Sequence, residues 1–239
     1  MKSLLLILMF TASSVVFAAS TVDLDEAPID LDDQDSIAQG AQLYVQYCSG
    51  CHSLKHMRYS RIADDYGIAE DWMIENIVPP SHKIHDSMLT AMNMEDARVW
   101  FGMPPPDLSL IARAKGADWL YSYLHGFYID DSKPYGTNNL VSPGVAMPDV
   151  LASLGGTQAL NPNSEEAETI KQKLSVVKAG SLSASQYDKA VTDLVAFLSY
   201  ASEPSQRARK SVGIKVILFL IVFTIIAYLL KKDYWRDVH

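Results

Sequence analysis

The chain has 239 residues, room for one ordinary domain with a hydrophobic core plus extra segments. Acidic residues outnumber basic ones by 28 to 20, a formal net charge of −8, and no basic patch argues for nucleic acid. Hydrophobic residues make up 49% of the chain, and two apolar blocks, one at each end, hold much of the excess.

The first block is "MKSLLLILMFTASSVVFA". Lys2 supplies a positive start, an apolar run follows, and small residues end at Ala18. That order is a secretory signal segment over residues 1–18, cleaved after Ala18. A membrane anchor is the competing reading, but the run is short and broken by Thr11, Ser13 and Ser14. The mature domain is therefore expected outside the cytoplasm. Residues 19–35 follow as an acidic leader, dense in aspartate from Asp23 to Asp35. It reads as a solvated segment, or else as an electrostatic guide for a basic partner through Asp32, Asp33 and Asp35.

From Ser36 to Tyr47, Ile37, Ala41, Tyr44, Val45 and Cys48 fall on one helical stripe. Gly40 on that helix would let another backbone approach closely. The helix runs into Tyr47-Cys48-Ser49-Gly50-Cys51-His52, which holds both cysteines of the chain. In an exported protein, Cys-x-x-Cys-His predicts covalent attachment of haem c. Two thiols at this spacing can add across the two vinyl groups of a haem, and the adjacent histidine then lies beneath the iron. A dithiol redox motif has no need of the histidine, and a zinc site would need a second pair of ligands at matching spacing.

His52 leaves one axial position to fill. His56 and Met57 lie too near the attachment site to reach the opposite face of the ring. Met88, Met92 and Met94, in "SMLTAMNMEDARVW", have helical spacing that suggests core packing. His82 and His85 follow a Pro-Pro pair and read as surface residues; His125 sits among aromatics in "DWLYSYLHGFY". Two methionines remain, both in proline-braced loops: Met103 in "FGMPPPDLS" and Met147 in "SPGVAMPDV". Restricted backbone suits a ligand loop. The pattern favours Met147 only modestly and leaves Met103 open.

Near the end of the chain, "SLSASQYDKAVTDLVAFLSYAS" opens on a Ser183/Gln186 capping box and carries Tyr187, Val191, Leu194 and Leu198 on one face. Two helices crossing at a glycine, one entering the haem motif and one closing the domain, resemble the frame of the class I cytochrome c fold. The second apolar block follows. Val216 to Leu230 has no charged residue, which gives about 22 Å of helix, short of a ~30 Å hydrocarbon core. The span must reach back through Val212, with Lys215 snorkelling to the interface. Basic residues flank both sides, so orientation rests on the exported domain.

Taken together, "YCSGCHSLKHMRYSRIADD", "PPDLSLIARA", "DWLYSYLHGFY", "GVAMPDV" and "FLSYASEPSQRARKSVG" occur in an order that resembles the cytochrome c1 family, the haem subunits of cytochrome bc1 complexes. The resemblance runs from about Ala38 to the C-terminus. It implies a mainly α, class I cytochrome c-type haem domain with long loop insertions over residues 36–206, in the periplasm. A transmembrane anchor helix over 207–232 and a cytoplasmic tail over 233–239 would follow, in a bacterial inner membrane. It maps the family's axial methionine onto Met147, opposite His52, and places Pro105, Pro106 and Asp107 beside the haem. A basic Arg-x-Arg pair in the family serves a haem propionate; this chain reads Arg113-Ala114-Lys115, and lysine lacks the planar fork of arginine. The implied role is an electron relay from a Rieske iron–sulfur subunit to a soluble cytochrome c, beside cytochrome b in a dimeric complex. The isolated chain would be a carrier rather than an enzyme. Two rivals stay open: a free-standing membrane-anchored cytochrome c, and a haem protein with a labile sixth position.

Overall fold

The computed structural model describes residues 23–162, 167 and 169–236. The signal segment and the last three residues of the expected tail lie outside the described residues. The fold is mainly helical, with three short hairpin-like sheets in the long loops between helices.

Helix α1 (Gln34–Tyr47) starts at Asp33, whose carboxylate accepts hydrogen bonds from the backbone N–H groups of Asp35 and Ser36. This satisfies donors that the first helical turn leaves unpaired. Ile37, Ala41 and Tyr44 turn inward, as their spacing predicts. Strand β1 (Leu54–Arg58) follows the haem motif and leads into α2 (Tyr59–Tyr66) and α3 (Glu70–Asn76). Strand β2 (Ser87–Met88) returns antiparallel to β1 and sets Met88 opposite Leu54. The helix expected through "SMLTAMNMEDARVW" begins only at Met94, as α4 (Met94–Phe101), because Asn93 caps it there with hydrogen bonds from Glu95 and Asp96. Met88 is buried as expected, but on a strand, and Met94 is exposed.

Helices α5 (Ile111–Lys115) and α6 (Ala117–His125) come next. Strands β3 (Phe127–Ile129) and β4 (Thr137–Asn139) pair antiparallel. Helix α7 (Ala152–Gly155), β5 (Thr157–Leu160), α8 (Ile170–Lys173) and β6 (Leu174–Lys178) form an insertion in which β5 and β6 pair. The closing helix α9 (Ala184–Ser202) carries the predicted capping box between Ser183 and Gln186. It buries Val191, Leu194 and Leu198.

Helices α1 and α9 form the central pair. At their crossing, a Cβ on Gly40 would lie 2.0 Å from the Asp193 carbonyl oxygen and 2.7 Å from the Phe197 Cβ. Only a residue without a side chain lets the two backbones meet. Ser36 Oγ donates to Asp193 at 2.7 Å, Lys189 pairs with the same carboxylate, and the Tyr44 and Phe197 rings pack at 5.7 Å.

The acidic leader departs from expectation. From Asp23 on, parts of it are bound to the domain, although Asp23, Asp30, Asp32, Asp33 and Asp35 stay exposed. Asp25 is buried: its N–H donates to Ser122 Oγ at 2.7 Å, and its carboxylate accepts from the Ile170 N–H at 3.2 Å. Asp33 caps α1, and Asp32 pairs with Arg207. The adjoining cluster holds α6, α8 and α9 together. Tyr121 Oη donates to Asp188 at 2.5 Å, and Lys171 pairs with the same carboxylate. His125 is buried beside them between the Tyr121 and Tyr187 rings, with its Nε2 3.4 Å from Asp188 Oδ1 and no well-aligned hydrogen bond among the described residues.

Helix α10 (Gln206–Tyr234) is long and apolar enough to cross a membrane, and its apolar window is not buried by any of the described residues. Its 29 residues span about 43 Å, against a hydrocarbon core of about 30 Å. Its first turn is tied to the domain: Arg207 also lies 5.4 Å over the Tyr66 ring, and Arg209 grips Glu203 with two nitrogens.

Gly40→Ala should therefore destabilise the domain by about 1–3 kcal/mol through overpacking. Gly213→Ala, where a Cβ meets nothing, should not; thermal melting of the detergent-solubilised chain compares the two. Burial, aided by Lys171 and opposed by Asp188, pushes the His125 pKa down to about 4. The unfolded chain, with a value near 6.5, binds the proton first as pH falls. Stability should thus drop between about pH 6.5 and 4, by at most about 3 kcal/mol from this residue. Unfolding titrations of His125→Leu should show a shallower loss across that window than the unmodified chain.

Candidate haem site

Cys48 is the C-cap of α1, its N–H donating to the Tyr44 carbonyl. The chain then turns tightly: the N–H groups of Cys51 and His52 both donate to the Cys48 carbonyl, at 3.0 and 2.8 Å. This turn brings both cysteines, three residues apart, into one turn at the end of α1, with the histidine directly behind. Neither cysteine is in a disulfide. Burial, then the neighbouring Cys51, pushes the Cys48 thiol up to about 12, and burial also raises Cys51. A dithiol redox centre works through a thiolate, and these surroundings disfavour one. Among the described residues no group of three His, Cys, Asp or Glu side chains could hold a metal ion.

The imidazole of His52 is aimed by a single bond. Its Nδ1 lies 2.7 Å from the carbonyl oxygen of Pro106. A carbonyl only accepts, so Nδ1 carries the proton and Nε2 keeps its lone pair. Burial lowers the His52 pKa, outweighing the Pro106 carbonyl and the nearby Asp107 carboxylate. The ring is therefore neutral at neutral pH, the state a metal ligand requires. Tyr44 Oη donates to the His52 carbonyl at 2.6 Å and ties the same residue to α1.

Residues 104–109 zip onto the strand that follows the motif. Leu108 N–H donates to the Ser53 carbonyl at 2.8 Å, Lys55 N–H to Asp107 Oδ2 at 3.1 Å, and His56 N–H to Ser109 Oγ at 3.1 Å. Burial would raise the Asp107 carboxyl, but hydrogen bonds from Ser109 and Lys55 outweigh it and hold the group below the usual carboxylate value. Pro105 and Pro106 need no N–H partner, so this segment can run extended beside His52 without leaving donors unpaired. From the other side, Thr90 Oγ1 donates to the Gly50 carbonyl and Thr90 N–H to Ser53 Oγ, both at 2.9 Å.

The two candidate methionines differ. Met103 follows the C-cap of α4 and is 61% exposed. Met147 is half-buried, in the loop between β4 and α7, and its sulfur accepts a hydrogen bond from Tyr123 Oη at 3.3 Å. Met57, Met73 and Met88 are core residues, and His56 and His85 are exposed. Arg113 and Lys115 stand exposed on the last turn of α5, neither paired with a carboxylate within 4.0 Å among the described residues. Lys115 Nζ lies 5.2 Å over the Trp119 ring. Tyr135 donates to the Trp100 carbonyl at 2.6 Å and braces α4.

The donor set suits a covalently held haem: two unpaired thiols on one turn, a neutral imidazole with one nitrogen already satisfied, and a thioether in a supported loop. Sequence reasoning missed Tyr44, Thr90 and Tyr123. Tyr44 lay on the noted helical stripe, but nothing local pointed to its hydroxyl, and the other two reach their partners only through the fold.

The description "Cytochrome C1 family" matches this chain over residues 25–238. Cytochrome c1 of Allochromatium vinosum is 43% identical over 235 residues, 97% of this chain and 96% of the relative. The ammonia monooxygenase gamma subunit of Nitrosomonas europaea is 42% identical over 238 residues, 100% of this chain and 98% of the relative. Cytochrome c1 of Rhodospirillum rubrum is 28% identical, covering 86% and 83% of the two chains. With the match running through the turn, the Pro106 segment, the Met147 loop and the apolar helix alike, the chain belongs to the cytochrome c1 family.

Proposed function

We propose that this chain is a membrane-anchored, monohaem electron relay of a quinol–cytochrome c oxidoreductase. One haem c is joined through Cys48 and Cys51, with His52 and Met147 as axial ligands. Such a haem, with all six iron positions filled, supplies one-electron redox chemistry and offers no open position to a substrate. The chain's own residues hold, orient and shield it. The single observation that carries the reading is the Nδ1 contact of His52 with the Pro106 carbonyl, which leaves Nε2 to donate. Pro105 and Pro106 line the histidine side, and Arg113 and Lys115 supply unpaired positive charge for the propionates.

The electron comes from a Rieske iron–sulfur subunit and leaves to a soluble cytochrome c. A net charge of −8 favours encounter with a basic partner, more at low salt than at high. Asp32 and Asp33 serve the joint with α10 and the cap of α1, so they are poor choices as docking groups. Helix α10 anchors the chain beside cytochrome b in a dimeric complex, with residues 36–206 in the periplasm of a bacterial inner membrane. The tail after Lys232 is cytoplasmic, and residues 1–18 are a cleaved signal. The relative named as an ammonia monooxygenase subunit supports a second reading, membership of an ammonia-oxidising assembly. Copurification with cytochrome b and an iron–sulfur protein favours the first; copurification with monooxygenase subunits favours the second.

Met147→Leu should abolish the weak sulfur-to-iron absorption band and lower the reduction potential, while Met103→Leu leaves both unchanged; the reverse pattern would overturn the axial assignment. Cys48→Ala with Cys51→Ala should leave no haem on the denatured polypeptide. The reduced protein should resist carbon monoxide; ready binding would mean an open sixth position.

A further inference from the structure

We infer that Tyr123 is a positioning residue for the axial thioether. Its hydroxyl donates to the Met147 sulfur, occupies one sulfur lone pair, and so sets which lone pair is left for iron and how strongly it donates. The inference rests on the reading of Met147 as the axial ligand.

The geometry is built from both ends. Tyr123 Oη lies 3.3 Å from the sulfur, its sole hydrogen-bond partner among the described residues. Tyr123 is half-buried, and a phenol hydroxyl shielded from water ordinarily finds an acceptor. A thioether is a weak one, so sulfur as sole partner calls for a reason. The ring cannot swing away. It stacks on Trp119, one turn earlier on α6, with centroids 4.9 Å apart and planes 10° apart. On the other side Phe127 meets it edge-on at 5.2 Å.

The methionine loop is tied to the same residue. The buried Asn139 donates from Nδ2 to the Tyr123 carbonyl at 2.8 Å. Its Oδ1 accepts from the N–H groups of Val141 and Ser142, at 2.9 and 3.1 Å, where the loop to Met147 begins. Asn138 Oδ1 accepts further along, from Gly144 N–H at 2.8 Å. Gly126 makes room for this: a Cβ there would sit 3.1 Å from Asn139 Oδ1 and 2.9 Å from the Ser122 carbonyl. One asparagine thus registers the helix that carries the donor against the loop that carries the acceptor.

A hydrogen bond to the sulfur withdraws electron density from it. The weakened donor stabilises ferric iron less than ferrous iron, so the contact raises the potential. Tyr123→Phe removes only the hydroxyl and keeps the ring stack. In the haem-loaded, detergent-solubilised chain, it should lower the ratio of reduced to oxidised haem at a fixed ambient potential by about two- to tenfold. The sulfur-to-iron band should persist but shift in wavelength. Tyr187→Phe is the control: that hydroxyl serves the Leu124 carbonyl on the same helix and never touches the sulfur. It should leave ratio and band unchanged. Two results would overturn the inference: an unchanged ratio and band in Tyr123→Phe, or an equal shift in Tyr187→Phe. If instead Met147→Leu retained the band, the ligand assignment beneath the inference would fail, a result distinct from either.

Discussion

The hydrogen bond between His52 Nδ1 and the Pro106 carbonyl ties together segments far apart in sequence. A histidine at the end of Cys-x-x-Cys-His is free to turn about two side-chain bonds. One accepting oxygen on one side fixes its tautomer and its direction together. Much of the surrounding structure keeps that oxygen in place. Asp107 and Ser109 anchor residues 104–109 to β1, Thr90 donates to the Gly50 carbonyl of the turn, and Tyr44 holds the His52 carbonyl to α1. Prolines make the arrangement cheap, since an extended Pro-Pro segment leaves no N–H unpaired and little backbone freedom to lose.

The frame that carries this contact is the α1–α9 pair, whose closeness depends on Gly40. Helix α9 ends at Ser202 and α10 begins at Gln206, so a short joint at Pro204 connects the helix that packs on α1 to the apolar helix. The joint is short and clamped by Arg207 and Arg209. Surface ion pairs contribute little singly. Here Arg207 also covers Tyr66, whose hydroxyl donates to the Leu31 carbonyl and whose ring meets Tyr200 edge-on.

Much of the frame was legible in the sequence because its signals are local. The Ser183/Gln186 box, the stripe of Ile37, Ala41 and Tyr44, the uncharged run to Leu230 and the haem motif each sit within a few turns of chain. Gly40 was legible as a crossing point because its stripe was already assigned. The failures share a cause. Asp25 read as a solvated aspartate, yet its partners are Ser122 and the start of α8, roughly a hundred residues away or more. Met88 read as helical because its neighbours have helical spacing. Pairing with Leu54 made it a strand.

By itself the sequence determined the Cys-x-x-Cys-His motif, the helices that bracket it, an apolar helix long enough to cross a membrane and, through the order of its segments, the family. Each of these rests on periodicity or on a spacing that chemistry demands. Only the tertiary structure decided which carbonyl aims His52, which aspartates are bound rather than solvated, and which hydroxyl meets the Met147 sulfur. A side chain's hydrogen-bond partner depends on the distance between segments in space, and no short window of sequence contains that distance. The local pattern favoured Met147 over Met103 only modestly and the resemblance chose Met147; the folded chain exposes Met103 and leaves Met147 half-buried with a donor on its sulfur.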